Sequence, residues 1–170
     1  HRVIYASKNM SVRSIHVSLN AQQLKLISHG EVLKEYYVST SKRGGGESIN
    51  SFQTPRGRHI VRAKIGDQAA EGTVFRGRRS TGEIYSEELA FQEPNKDWVL
   101  TRILWLSGTE VGRNRLGSVD TMRRFIYIHG TPYTDKLGEP ASVGCIRMNN
   151  TDITELYELV PIGTVVEIVD

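Results

Sequence analysis

The only cysteine of this 170-residue chain, Cys145, follows His129 by sixteen positions. A thiol attacks a carbonyl well only as thiolate, and a neighbouring base or cation is what makes it one at neutral pH. The cysteine stands in Ser142-Val143-Gly144-Cys145-Ile146-Arg147-Met148, and the histidine is followed by Gly130-Thr131-Pro132. Gly144 allows a tight backbone turn and close approach of a substrate. Backbone N–H groups at such a turn can form an oxyanion hole for charge developing on an attacked carbonyl. On an extended segment Arg147 shares the face of Cys145. There it favours the thiolate or holds a substrate carboxylate, unless it is simply a surface ion pair. The Ser142 hydroxyl either assists substrate binding or caps a turn. Two candidates stand as the group that orients His129: Asp135 by type, or a backbone carbonyl near Gly130. Taken singly, Cys145 reads as a small buried hydrophobe and His129 as a structural imidazole. Only together do they read as nucleophile and base.

Other chemistries find little support. A single cysteine excludes an intramolecular disulfide and every multi-cysteine zinc pattern. The five histidines (His1, His16, His29, His59 and His129) show no close ligand spacing, so neither a metal nor another cofactor is expected. No Gly-x-Ser-x-Gly elbow is present. Gly44-Gly45-Gly46 lacks the Lys-Ser/Thr ending of a phosphate loop and reads as a flexible loop. The net charge of +3 is mild, and the basic knot Arg76-Gly77-Arg78-Arg79 is too short to argue for nucleic acid. It reads as a solvated loop. Weak attraction to an anionic polymer such as a cell wall is compatible with it.

The elements that position the pair are mostly strands. Hydrophobic content of 38% and charged content of 24% fit a folded chain, which reads as one domain over 1–170 with a loose segment at 1–12. No run approaches the roughly 20 apolar residues that span a bilayer. Ser14 to Asn20, Leu24 to Ile27 and Val32 to Thr40 form a meander of half-buried strands, with Ile15, Val17 and Leu19 facing the core. Arg58 to Ile65 alternates again, after the turn Thr54-Pro55-Arg56-Gly57. Gly66 to Asp97 is a long polar connection, of the kind that makes a lid or binding excursion, with a hairpin near Ile84-Tyr85. Trp98 to Ser107 reads as a buried strand, Gly108 to Asp120 as a loop, and Arg124 to His129 as a central strand ending at the histidine. One helix is marked. Asp152 and Glu155 suit a capping box, Ile153, Leu156, Tyr157 and Val160 make an apolar face, and Pro161 and Gly163 stop it. Thr164 to Val169 is a closing strand. The sum is a mainly β fold, a sandwich or open barrel, with one clear helix near the C-terminus.

Ile128-His129-Gly130-Thr131 followed by Ser142-Val143-Gly144-Cys145-Ile146-Arg147-Met148 resembles the signature of L,D-transpeptidase catalytic domains of bacterial peptidoglycan metabolism. The likeness extends to the opening hairpins over Ile15 to Thr40, the Thr54-Pro55-Arg56-Gly57 turn, and the closing helix and strand. It is weakest over Gly66 to Asp97. The resemblance implies a two-step acyl transfer without cofactor. His129 would take the proton from Cys145 or hold the thiolate as an ion pair, and the thiolate would attack the carbonyl of the third, diamino-acid residue of a tetrapeptide stem and release D-alanine. Gly144 and Cys145 would supply the oxyanion hole, with Arg147, Ser142, Gly130 and Thr131 around the substrate. The thioester would pass to an amine on a second stem or on a wall-attached protein. Carbapenem acylation at Cys145 is a further implication.

The implied location is the bacterial envelope, periplasmic or otherwise extracytoplasmic. The chain opens at His1 rather than Met, which reads as a trimmed or mature form. The sequence departs from the family pattern at Val143, where a second histidine usually precedes the Gly-Cys pair. Two other readings stand beside the transpeptidase: an L,D-carboxypeptidase with water as acceptor, and a catalytically silent wall-binding module.

Overall fold

The computed structural model describes residues 12–170, so the loose segment expected over 1–12 lies, but for Val12, outside the described residues. Among the described residues ten strands form one sheet, and alternation explains most of them. β1 (Arg13–Ser18) buries Ile15 and Val17, and β2 (Gln23–Ser28) buries Leu24 and Leu26. β3 (Glu31–Ser39) is exposed along its first half and turns Tyr36 and Val38 inward in its second. β4 (Gly57–Ile65) follows the Thr54-Pro55-Arg56-Gly57 turn. After β5 (Thr73–Arg76), β6 (Arg79–Ile84) and a short helix α1 (Glu87–Gln92) comes β7 (Val99–Gly108). β8 (Tyr127–Gly130), β9 (Ile146–Met148), α2 (Asn150–Leu159) and β10 (Val165–Val169) complete the chain.

The strand order β4-β10-β1-β2-β3-β9-β8-β7 is closed by pairing of β4 with β7, while β5 and β6 hang from β7. The mainly β fold with a helix near its C-terminus is therefore the one expected, and the β4–β7 ladder makes the barrel closed rather than open. Closure leaves neither of those strands with a row of unpaired backbone groups. Inside lies one cluster that includes Ile15, Leu24, Leu106, Ile128, Ile146 and Val166, joined by Ile153, Leu156 and Tyr157 of α2. Burying each such aliphatic side chain contributes about 2 kcal/mol. β7 is buried on both sides: Leu104 and Leu106 join the main core, whereas Ile103 packs with Phe75 and Tyr127 on the outer side.

Three local expectations are corrected. The hairpin within Gly66 to Asp97 turns at Gly77-Arg78, not near Ile84-Tyr85: Phe75 pairs with Ser80 and Arg76 with Arg79. Both turn residues have positive φ, 54° and 65°, as a tight two-residue hairpin turn demands. The helix is capped by Asn149, whose side chain accepts from Thr151 N–H at 2.8 Å, and not by an Asp152–Glu155 box. Glu155 instead accepts a 2.6 Å hydrogen bond from the Tyr36 hydroxyl. Finally, β8 starts at Tyr127 rather than Arg124. Arg124 and Phe125 belong to a turn, with Arg124 N–H bonded to Asp120 O and Phe125 at φ 56°.

Candidate functional site

β8 and β9 run parallel, with Ile128 opposite Ile146, His129 opposite Arg147 and Gly130 opposite Met148. Since side chains alternate along a strand, this register sorts the segment into two sets. Ile126, Ile128, Ile146 and Met148 enter the barrel core. Tyr127, His129, Cys145 and Arg147 alternate with them and face the outer side, where Cys145 packs against the Phe75–Ile103–Tyr127 cluster. The pairing of these two strands is what brings a histidine and a cysteine sixteen positions apart onto one face.

His129 is fully buried. Its Nδ1 lies 2.7 Å from the carbonyl oxygen of Gly130, which can only accept, so Nδ1 carries the proton and Nε2 presents a lone pair. Nε2 is buried and has no hydrogen-bond partner. The orienting group is thus the Gly130 carbonyl; Asp135 sits exposed in the short 3-10 turn Thr134–Lys136. Burial drives the His129 pKa below its ordinary value, and the nearby Asp97 carboxylate and the Gly130 bond only partly oppose this.

The sulfur of Cys145 accepts from Tyr127 N–H at 3.3 Å and donates to Phe125 O at 3.4 Å. Although part of the residue reaches solvent, its apolar surroundings push the thiol up to about 12, against the pull of Tyr127 N–H and the Arg147 and Arg124 charges. Burial thus disfavours the charged form of both residues, the imidazolium of His129 and the thiolate of Cys145.

The turn before the cysteine is held from several sides. Gly144 has φ 133°, a conformation a side chain would strain. Its carbonyl accepts from the Thr54 hydroxyl at 2.9 Å, which in turn accepts from Ser41 N–H at 3.0 Å. The Ser142 hydroxyl donates to Cys145 O at 2.6 Å and accepts from Gly144 N–H at 3.2 Å, so it caps the turn. Gly130 is packed so closely that a Cβ would lie 2.7 Å from Leu100 O. Thr131, also buried, receives Tyr133 N–H on its hydroxyl. Ser142, Gly130 and Thr131 are thus engaged in shaping the walls.

Arg147 is buried and donates to Asp97 at 2.6 Å, beneath the ring of Tyr133. Its charge is compensated from within, by a carboxylate at the far end of the polar excursion. Sequence reasoning missed Asp97 and Thr54. Neither carries a local signal, because their partners lie 50 and 90 residues away. It also missed Arg78, which was read with its neighbours as solvated: the guanidinium lies over the rings of Trp105 (4.6 Å) and Phe125 (5.0 Å) and donates to the Tyr127 hydroxyl. Beyond Phe125 opens a groove of about 320 Å³ lined by Ile49, Phe52, Phe125 and Val143. Among the described residues no cluster of His, Cys, Asp or Glu could hold a metal ion, and no helix is long and apolar enough to cross a membrane.

The family model described as the YkuD L,D-transpeptidase catalytic domain matches residues 12–168. Among curated relatives, a putative L,D-transpeptidase YkuD of Bacillus licheniformis is 28% identical over 154 residues, covering 91% of this chain and 64% of its own length. The Bacillus subtilis protein of the same name is 51% identical over 41 residues, 24% of this chain and 25% of its own. The chain thus spans less than two thirds of these relatives. Among solved structures, L,D-transpeptidase 3 from Mycobacterium tuberculosis, in complex with a faropenem-derived adduct, superposes with a TM-score of 0.59 at 15% identity, over 94% of this chain and 60% of that one. An L,D-transpeptidase from Mycobacterium smegmatis gives 0.57 at 18% identity, over 92% and 58%. At such identities the structures show a shared fold.

Proposed function

Because the chain belongs to the L,D-transpeptidase catalytic domain family, we propose that Cys145 and His129 carry out a two-step acyl transfer on peptidoglycan tetrapeptide stems outside the cytoplasm. The observation that carries this reading is the unpartnered Nε2 of His129, a buried lone pair on the same face as the only thiol. A structural imidazole satisfies both nitrogens; a general base keeps one for the proton it takes.

In the first step Nε2 removes the Cys145 proton as sulfur attacks the carbonyl of the third stem residue. The oxyanion is met by the N–H groups of Cys145 and Gly144. The Gly144 N–H bond to Ser142 is long, and a developing anion attracts that donor more strongly than a hydroxyl does. Collapse of the tetrahedral intermediate breaks the peptide bond. The imidazolium protonates the departing D-alanine nitrogen and leaves a thioester on Cys145. In the second step a neutral amine attacks the thioester, gives its proton to His129, and expels the thiolate, which is then reprotonated. The thioester can equally pass to water, the L,D-carboxypeptidase outcome.

Two solved structures of this fold support acylation as its chemistry, since one is described as carrying a faropenem-derived adduct and the other as being in complex with imipenem. A carbapenem is accordingly expected to add covalently to Cys145. The decisive experiment incubates the protein with a tetrapeptide stem and an amine acceptor and follows products by mass spectrometry. D-alanine and a cross-linked peptide are expected, with both lost in Cys145→Ala and reduced at least 1000-fold in His129→Ala. D-alanine without cross-link makes water the acceptor. Full turnover by either variant, or none by the parent protein, defeats the proposal.

A further inference from the structure

The outer face around the thiol carries three arginines, and two of them are spoken for. Arg147 is paired with Asp97 at 2.6 Å. Arg124 spends its guanidinium on Gly46 O, Ser51 Oγ and Gln53 O, at 3.2, 3.1 and 2.6 Å. Arg78 differs from both. No carboxylate lies within ion-pair distance of it among the described residues; its neighbours are the faces of Trp105 and Phe125 and the hydroxyl of Tyr127 at 3.0 Å.

The placement of Arg78 ties it to the sulfur. Two of the three residues whose side chains receive the guanidinium, Phe125 and Tyr127, are also the two whose backbone groups hold Cys145 Sγ. Arg78 stands at the tip of the β5–β6 hairpin, in a left-handed conformation that only the tight turn explains. Aromatic faces orient a guanidinium and exclude water from one side of it, without using its in-plane N–H donors. One of those donors goes to Tyr127, and the remainder are available to a planar anion. An uncompensated cation beside a nucleophile attracts an anionic group close to the attacked bond.

We propose that Arg78 is the carboxylate-binding residue of this site and grips the terminal carboxylate of the D-alanine about to leave. The assignment rests on the transpeptidase reading for the identity of the peptide. That carboxylate lies three bonds from the attacked carbonyl carbon, so a receptor for it must sit on the thiol's side of the barrel, where Arg78 lies against the side chains of Phe125 and Tyr127. Arg147 was the candidate by sequence, but its charge is already answered by Asp97.

Binding tests this apart from turnover. The Cys145→Ala protein is titrated in a calorimeter with a tetrapeptide stem bearing a free C-terminal carboxylate, and with the same peptide as its C-terminal amide. The acid is expected to bind at least 10-fold more tightly than the amide, as a charge-assisted bidentate contact requires. Adding Arg78→Met, which keeps an apolar stem over the rings, removes that preference; Arg78→Lys retains part of it. The ratio of the two affinities is read within each protein, so a general loss of folding lowers both peptides and leaves the ratio as the measure. Equal affinities in the Arg78 parent, or a preference undiminished in Arg78→Met, overturn the proposal. The second result would make Arg78 only a latch for the hairpin. Absence of D-alanine release by the protein with Cys145 intact defeats the transpeptidase reading instead, and the acid-to-amide ratio still judges Arg78.

Discussion

His59 and His129 are both fully buried, both in strands of the same barrel, and both held neutral by burial. They differ in what surrounds the second ring nitrogen. His59 places Nδ1 3.0 Å from Gly57 O and Nε2 3.0 Å from the Thr121 hydroxyl. His129 places Nδ1 2.7 Å from Gly130 O and leaves Nε2 bare. Leaving a buried polar atom unpaired costs about 1–3 kcal/mol, so the fold carries at His129 a penalty that it avoids at His59. Burial and a depressed pKa do not separate a structural imidazole from a reactive one. The unfilled nitrogen is the difference on which the proposed role of His129 rests.

The largest expected effect that sharpens this contrast is on turnover. His129→Ala should lower the rate of D-alanine release per folded molecule at least 1000-fold, in the range that a positioned general base supplies. His59→Leu should show its effect in stability instead. It strands the Thr121 hydroxyl and Gly57 O and is expected to cost about 2–3 kcal/mol of stability, while activity per folded molecule stays within a few-fold. Comparable activity losses in the two variants, corrected for folded fraction, would erase the distinction.

Acid is the next lever. His59 titrates near 4 in the fold against 6.5 ordinarily. Below pH 6.5 the unfolded chain therefore binds a proton that the folded chain refuses, and stability falls as pH falls, until about pH 4. By pH 5 this one group removes about 2 kcal/mol. His129, lowered in the same direction, adds to the loss. Urea midpoints at pH 7 and 5 should show the fall, and His59→Gln should lessen it; a midpoint flat over that range would contradict the burial of either ring. Because Nε2 must be neutral to act, the acid limb of turnover should lie below 6.5, where an ordinary histidine would already be half protonated.

The smallest expected effect comes from the scaffold of the other partner. Thr54→Val removes the hydroxyl that holds Gly144 O. It should cost about 1 kcal/mol in stability and lower turnover several-fold by loosening the turn, without moving its pH profile. A shifted profile would mean that Thr54 acts on the His129–Cys145 proton equilibrium rather than on geometry.

These residues also mark where the sequence was legible. The strands from Ile15 to Val38 and the double-sided burial of β7 follow from period-two patterning and an apolar run, and the Cys145–His129 pair from residue type, glycines and order. What escaped depends on distance along the chain. Asp97 looked like the end of a polar loop until Arg147 was set opposite it. Arg78 looked solvated because nothing near it in sequence announces Trp105 and Phe125 as its platform. The helix start was misplaced by three residues because Asn149 and Asp152 are both good caps by type, and only backbone geometry chooses between them.

β10 has a consequence for how this molecule comes into being. It lies between β1 and β4, pairing in parallel with one and antiparallel with the other. During synthesis β1 emerges first, and its partner on that side appears some 150 residues later. Until Val165–Val169 leave the ribosome, two strand edges stay open and the ring cannot close. Phe75, Ile103 and Tyr127, against which Cys145 packs, are all made before the cysteine itself. The barrel beneath that outer cluster, by contrast, is sealed only when β10 takes its place between β1 and β4.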